Sequence, residues 1–245
     1  MEQFAAGKDK LYEGKAKIVY PAESPDEVYM VFKDSATAFD GKKKGTIQGK
    51  GYFNAHISAI LFRLLEERGV RTHFISLEGD TTLKVKRLRI FPVEVVVRNI
   101  VAGSLSKRTG LPEGADLRFP ILEFYYKSDE LGDPMVNDDH ILAFGWATRE
   151  ELEHIRAEAL KVNSVLRPFF KERRLLLVDF KLEFGRLASA EDPVRLGDIV
   201  LGDEISPDTC RFWDSETREK LDKDRFRRDL GRVEEAYAEV LGRIS

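Results

Sequence analysis

Asp179, Lys181 and Glu183 alternate within residues 178–185, Val-Asp-Phe-Lys-Leu-Glu-Phe-Gly. Successive side chains of a strand point to opposite faces, so these three charged groups share one face. Val178, Phe180, Leu182 and Phe184 take the other. The preceding Leu175-Leu176-Leu177 is continuously apolar, which reads as a strand buried on both faces whose far end opens onto a polar site. Carboxylates and an ammonium leaving a buried strand together suit a centre for a hard cation and phosphate. A solvated strand face laced with ion pairs has the same spacing, so the octapeptide alone does not choose between the two.

Further segments carry compatible chemistry. Glu13-Gly14-Lys15-Ala16-Lys17 reads as a hairpin turn in which Gly14 permits close backbone approach to a ligand. Lys15 and Lys17, two positions apart, would meet phosphate oxygens from one face, or belong to an ordinary solvated turn. Phe91 to Asn99 reads as a strand carrying Glu94 and ending in Arg98, and Ala102-Gly103-Ser104 opens a short helix beyond it. A guanidinium fork, a hydroxyl and free N–H groups together favour a phosphate. In Leu201-Gly202-Asp203-Glu204-Ile205-Ser206-Pro207-Asp208, strand alternation puts Asp203 on the apolar side of Ile199 and Leu201, where a carboxylate needs a partner. Glu183 and Asp203, from neighbouring strands, could then share one magnesium ion with nucleotide phosphates. If Gly202 breaks the strand, both acids are surface turn residues. Arg211 aims at the same cleft or pairs with Asp208. Lys127 and Asn137-Asp138-Asp139 read as a polar turn after a strand, and Ser35 to Gly41, with Asp40, reads similarly. Residues 45–51, Gly-Thr-Ile-Gln-Gly-Lys-Gly, fall one residue short of a P-loop and lack its Ser or Thr. No G-x-G-x-x-G follows a strand.

The elements that must position these groups are mixed. Strands are expected at 11–13, 16–20, 28–32, 72–77, 84–90, 93–98, 121–126, 175–185 and 195–201. Apolar positions at helical spacing give a helix from Tyr52 to Arg68, stopped by Gly69. Thr148 and Glu151 form a capping box for a helix to about Lys171. A last helix is expected from Lys223 to Arg243 with Asp222 as N-cap. Without regular β-α alternation, the fold class is α+β. The residue before a proline is held extended, so Phe91-Pro92 is taken as the junction of a β-rich N-terminal lobe, residues 1–91, and a larger α+β lobe, residues 92–245.

The chain has 245 residues, 34% of them charged, with a net charge of −3, which argues against a general nucleic-acid binder. One cysteine, Cys210, forms no intramolecular disulfide, and the composition fits a reducing cytoplasm. No apolar run approaches the roughly 20 residues of a membrane span, and the N-terminus lacks the apolar run of a signal peptide. Four scattered histidines and one cysteine give no transition-metal spacing.

Taken together, Leu-Tyr-Glu-Gly-Lys-Ala-Lys at 11–17, the Phe91–Ser104 segment, Asp-Pro-Met-Val-Asn-Asp at 133–138, the 178–185 octapeptide and the 201–208 segment resemble the SAICAR synthetase family over nearly the whole chain. The resemblance implies a two-lobed, ATP-grasp-like fold. It also implies a ligase of purine biosynthesis that joins L-aspartate to the carboxylate of carboxyaminoimidazole ribotide, cleaving ATP and requiring Mg²⁺. Carried over residue by residue, Gly14, Lys15 and Lys17 would cover the ATP phosphates, with Glu94 and Lys127 also on the nucleotide. Glu183 and Asp203 would hold Mg²⁺. Lys181 would neutralise phosphate charge, and Asp179 would orient the ribotide or the nucleotide. Arg98, Ser104 and Arg211 would grip the ribotide phosphate, with Asp40 added to the substrate-binding set. The resemblance further implies a homodimer or larger assembly. The departures lie at Gln48-Gly49-Lys50 and at residues 188–194. A small-molecule kinase is the rival enzyme, and a nucleotide-binding regulatory module the rival outside enzymes.

Overall fold

A computed structural model describes residues 9–38, 43–189 and 195–245, and among these two large antiparallel sheets, a two-stranded one and six α-helices make up the fold. The first sheet holds β1 (Tyr12–Glu13), β2 (Lys17–Pro21), β3 (Glu27–Phe32), β6 (Phe74–Glu78) and β7 (Thr82–Lys86), in the order β1-β2-β3-β7-β6. A small hairpin, β4 (Ser35–Ala38) with β5 (Lys43–Thr46), leads into α1 (Lys50–Glu67). Helix α1 lies against β3, β6 and β7 through Ile57, Leu61, Phe62 and Leu65, all fully buried at the expected helical spacing.

The second sheet runs β10-β9-β8-β11-β12, with β13 beside the other half of β11. Its strands are β8 (Leu88–Ile100), β9 (Asp116–Tyr126), β10 (Met135–Val136), β11 (Leu175–Leu187), β12 (Ile199–Leu201) and β13 (Cys210–Asp214). Helix α4 (Arg149–Glu172) covers β8 and β11 with Leu152, Ile155, Ala159, Val162, Leu166 and Phe170. The expected capping box opens it, with Thr148 accepting from the Glu151 amide at 3.2 Å and Glu151 accepting from the Thr148 amide at 2.8 Å. The other helices are α2 (Gly103–Thr109), α3 (Asp138–Ala143), α5 (Asp224–Arg227) and α6 (Val233–Ile244). Among the described residues no helix is long and apolar enough to cross a membrane.

Several expectations meet a different backbone. The change of sheet falls between Lys86 and Leu88, whereas Phe91 and Pro92 lie inside β8. Val178 is a bulge. The β13 register shifts between Leu177 and Asp179, so Leu177 and Phe180 both reach the main core, while Val178 packs with Ile100, Ala102 and Trp213. The expected C-terminal helix is two helices. Asp229, Gly231 and Arg232 take positive φ, and the Arg225 guanidinium donates to the Leu230 and Gly231 carbonyls, holding the break. The N-cap of α5 is Lys223, which makes no side-chain capping bond, and not Asp222; Asp222 lies one residue earlier and accepts from the Asp224 amide at 2.7 Å and the Phe212 amide at 2.9 Å. Asn137 to Asp139 is not only a turn, because Asn137 and His140 form a capping box that starts α3.

One polar contact secures the end of β8 that carries Arg98. Asn99 and Asn163 exchange side-chain hydrogen bonds at 2.9 and 3.0 Å, fully buried between β8 and α4. Replacing one partner leaves the other amide short of partners away from water. Asn163→Leu is expected to cost about 1–3 kcal/mol, read from urea unfolding. A loss below a few tenths of a kcal/mol would show that the pair contributes nothing.

Candidate active site

The register of β8 on β11 builds the site. Asp179 lies opposite Arg98, Lys181 opposite Val96 and Glu183 opposite Glu94. Directly paired residues of antiparallel strands share a face. Asp179, Lys181 and Glu183 therefore meet Arg98 and Glu94 on the face away from α4, as the alternation predicts. The first sheet rises over one end of this charged face and leaves a cleft of about 1160 Å³. A cavity of about 270 Å³ adjoins it, and Glu94, Asp133, Lys181, Asp208 and Thr209 line both.

In the larger cleft, Lys181 sits between acids, with its ammonium 2.7 Å from Glu183, 2.9 Å from Glu94 and 3.5 Å from Asp203. Lys127 pairs with the other oxygen of Glu183. Lys17 pairs with Asp203 and, at 2.8 Å, with Glu204. Asp203 does not continue the strand alternation. β12 ends at Leu201, and Asp203 takes a left-handed φ of 56°, yet its side chain stays 87% covered and turned to the cleft. Glu183 and Asp203 thus face one another across Lys181. Burial alone would raise both carboxyls. The ammoniums of Lys181 and Lys127 hold Glu183 below the ordinary range, and those of Lys17 and Lys181 hold Asp203 well below it. Lys17 and Lys181 are in turn held cationic by these acids, against burial. Burial lifts Glu94 above its ordinary value, with Lys181 opposing. Four acids (Glu94, Glu183, Asp203, Glu204) outnumber three lysines here.

The expected hairpin forms, with the Gly14 amide donating to the Lys17 carbonyl at 2.9 Å. Lys15 reaches Asp129 in the loop after β9, at 2.6 Å, so the turn is tied to the second sheet's side of the cleft.

The smaller cavity is built on a buried carboxylate. Asp179 accepts from Arg98 at 2.9 Å and from Arg211 at 2.9 Å, holding two guanidiniums side by side. Arg98 is further fixed by Glu123 at 2.7 Å, the Tyr125 hydroxyl at 3.0 Å and the Ser104 hydroxyl at 2.9 Å. Ser104 is therefore not a helix cap; its hydroxyl is turned to Arg98. Arg211 pairs with Asp224 at 3.0 Å, while Asp208 holds Lys50 instead. Gly103 takes φ 55°, and a Cβ there would lie 2.5 Å from the Arg211 guanidinium, so only glycine lets Arg211 lie across the start of α2.

Arg98, Ser104, Asp179 and Arg211 thus come together in the smaller cavity. Gly14, Lys15, Lys17, Glu94, Lys127, Lys181, Glu183 and Asp203 come together in the larger. Asp40 lies outside the described residues. Glu204, Glu123, Tyr125 and Asp224 were not singled out from the sequence. Tyr125 and Glu123 had a signal, since both alternate along a strand next to the one bearing Arg98. Asp224 had none. Among the described residues no cluster of three or more His, Cys, Asp or Glu is arranged to hold a metal ion. A magnesium ion that shares its shell with phosphates and water asks for only one or two carboxylates, and the Glu183–Asp203 pair meets that demand.

A charged cleft between a hairpin-bearing sheet and a larger sheet defines an α+β protein of the ATP-grasp-like kind. The model of the SAICAR synthetase family matches residues 10–244, and the chain belongs to that family, as a ligase of purine biosynthesis. The phosphoribosylaminoimidazole-succinocarboxamide synthase of Coprothermobacter proteolyticus is 58% identical over 236 residues, 96% of this chain and 97% of that protein. The crystal structure of the enzyme of that name from Ehrlichia chaffeensis is 49% identical, covers 96% of this chain and 98% of its own, and superposes with a TM-score of 0.93. A SAICAR synthetase solved in complex with ADP is 52% identical, with 97% of each chain covered and a TM-score of 0.90.

The Asp224 carboxylate gives this site a pH signature. Burial raises it, but Arg211 and Arg227 bring it down to about 2. Its folded pKa lies below the unfolded value of about 3.9, so its contribution is complete above about pH 4 and disappears as the pH falls through 2. Urea unfolding between pH 2 and 6 should show a shallower acid slope in Asp224→Asn than in the parent chain. An identical slope would remove Asp224 from the ionised network.

Proposed function

We propose that the chain joins L-aspartate to carboxyaminoimidazole ribotide with cleavage of ATP to ADP and phosphate. One observation carries this reading: an acid–lysine cleft and a paired-arginine cavity share the wall that bears Lys181. A nucleotide in the first and a sugar phosphate in the second would bring a γ-phosphoryl group and a ribotide carboxylate together at Lys181. The relative solved with ADP supports nucleotide binding, and the lysines of the larger cleft suit its phosphates. The two sheets act in this reading as two lobes, the N-terminal one supplying the phosphate-covering hairpin.

A carboxylate is a poor electrophile, and amide formation requires its activation. The γ-phosphoryl group passes to the ribotide carboxylate, giving an acyl phosphate; the aspartate amine then attacks the acyl carbon and phosphate leaves. Such transfer demands alignment and charge neutralisation more than a protein nucleophile. Gly14, Lys15 and Lys17 close over the phosphates, with Glu94 and Lys127 along the nucleotide. Lys181 neutralises charge on the transferring group. Arg98, Arg211 and Ser104 grip the ribotide phosphate, and Asp179 keeps both guanidiniums aimed. Glu183 and Asp203 would hold Mg²⁺, which supplies neutralisation of charge on the phosphate oxygens. Their ionised state, kept by three lysines, fits that task, and bound phosphates would draw those lysines from the acids.

Phosphate release with ribotide and ATP, with and without L-aspartate, separates this ligase from a kinase. Strict aspartate dependence of product formation is expected. Steady ADP formation with a stable phosphorylated ribotide and no aspartate requirement would mean a kinase, and ATP binding without turnover a regulatory module. Glu183→Gln is expected to lower turnover by at least ~100-fold. Near-normal turnover at saturating Mg²⁺ would exclude Glu183 as a ligand.

A further inference from the structure

Residues 45–51 fall just short of a P-loop, and the lysine of that near-match, Lys50, is wholly buried and lines neither cavity. It opens α1 where the chain is tightly held. Asp34 accepts from the Gly49 and Gly51 amides at 3.1 and 2.9 Å, and a Cβ at Gly51 would lie 2.8 Å from the Phe32 carbonyl oxygen. From there the Lys50 ammonium reaches Asp208, at 3.0 Å. Lys50, Asn54 and Ser58 follow at intervals of one turn, so they share a face of α1, and all three are wholly buried. The Ser58 hydroxyl donates to the Ile205 carbonyl at 3.2 Å, so this face lies on residues 205–208. Asn54 sits between the two contacts, and neither of its amide atoms bonds to any described residue. An ammonium has three donors, and an amide has two donors and an acceptor oxygen, so Lys50 and Asn54 keep capacity to spare. Buried polar groups left in this way hold water.

The segment under this face separates the two cavities, since Asp208 and Thr209 line both. Asp208 also accepts from the Tyr237 hydroxyl of α6, at 2.6 Å. The Ser206 carbonyl closes the turn, accepting from the Thr209 and Cys210 amides at 3.0 and 2.8 Å. The Thr209 carbonyl then accepts from the Lys181 amide at 2.8 Å, so the turn is continuous with the strand that carries Lys181. We propose that Lys50 and Asn54, bridged by one buried water, are positioning residues that anchor the Ser206–Thr209 turn and through it the wall where the two cavities meet. Helix α1 packs on the first sheet, whereas the turn belongs with the second. The anchor therefore fixes the two sides of the cleft relative to each other without touching a substrate. Its kinetic readout rests on the ligase reading above; its water does not.

The test joins a crystal structure of the parent chain, at a resolution that shows water, to steady-state kinetics of Asn54→Leu, Asn54→Ser and Lys50→Met. A water is expected within hydrogen-bond distance of both the Asn54 amide and the Lys50 ammonium. Asn54→Leu, close to asparagine in size, is expected to lower kcat about tenfold, with the KM values for ATP and ribotide within about threefold of the parent. Lys50→Met should lose at least as much. Asn54→Ser, which leaves room for water and a hydroxyl to hold it, should recover most of the loss. Should Lys50→Met unfold, Asn54→Leu carries the test, since it removes no charge. Weaker urea resistance with kcat unchanged would mean a merely structural stripe and overturn the positioning role. A dry Asn54 in the parent crystal would overturn the anchor as drawn. Absence of aspartate-dependent turnover in the parent chain overturns the ligase reading alone. The anchor then stands or falls on the water and on whether Asp208 leaves Tyr237 in crystals of Asn54→Leu.

Discussion

The antiparallel pairing of β8 with β11 is the constraint on which the rest of the molecule depends. It sets Asp179 against Arg98 and Glu183 against Glu94, and every other charged group of the site is placed relative to these pairs. A slip of one residue would turn the charged set into the apolar core and Phe180, Leu182 and Phe184 into the cleft. That outcome is strongly disfavoured because α4 already covers the apolar face. The fold thus protects the register with hydrophobic burial, and the register delivers the charge pattern.

The charges themselves come at a cost. Buried ion pairs often do no better than break even against their desolvation. Lys17, Lys181, Glu183, Asp203, Asp179 and both arginines are all largely covered, so their arrangement is not explained by stability alone. On the proposed function it is explained by ligands that are themselves highly charged. Each cation held beside an acid stays protonated and aimed, and the acids stay ionised. On that reading an incoming phosphate meets lysines already protonated, which exchange an acid for a phosphate oxygen.

Much of this was legible in the sequence. The alternation over 178–185 locates the charged face, and Arg98, Ser104 and Arg211 stand out by residue type and position, although their convergence on Asp179 does not. The capping box at Thr148 and the stripe of α1 were equally plain. Register was not legible, because a single sequence does not say which residue faces which across a sheet. The bulge at Val178 and the left-handed turn at Asp203 escaped for a related reason: both are local backbone departures imposed by neighbours. Asp203 reached the cleft although the alternation that predicted its burial stops at Leu201. The break between α5 and α6 had a signal in Gly231, outweighed by apolar periodicity on either side.

The central claim is that Glu183 and Asp203 act together on one divalent ion beside the nucleotide phosphates. Crystals grown with ADP and Mn²⁺, measured at a wavelength where manganese scatters anomalously, test it most directly. The account predicts an anomalous peak within bonding distance of an oxygen of each of these two side chains and of a phosphate oxygen. Manganese bound elsewhere, with Lys17, Lys127 and Lys181 still seated on the two acids, would contradict it.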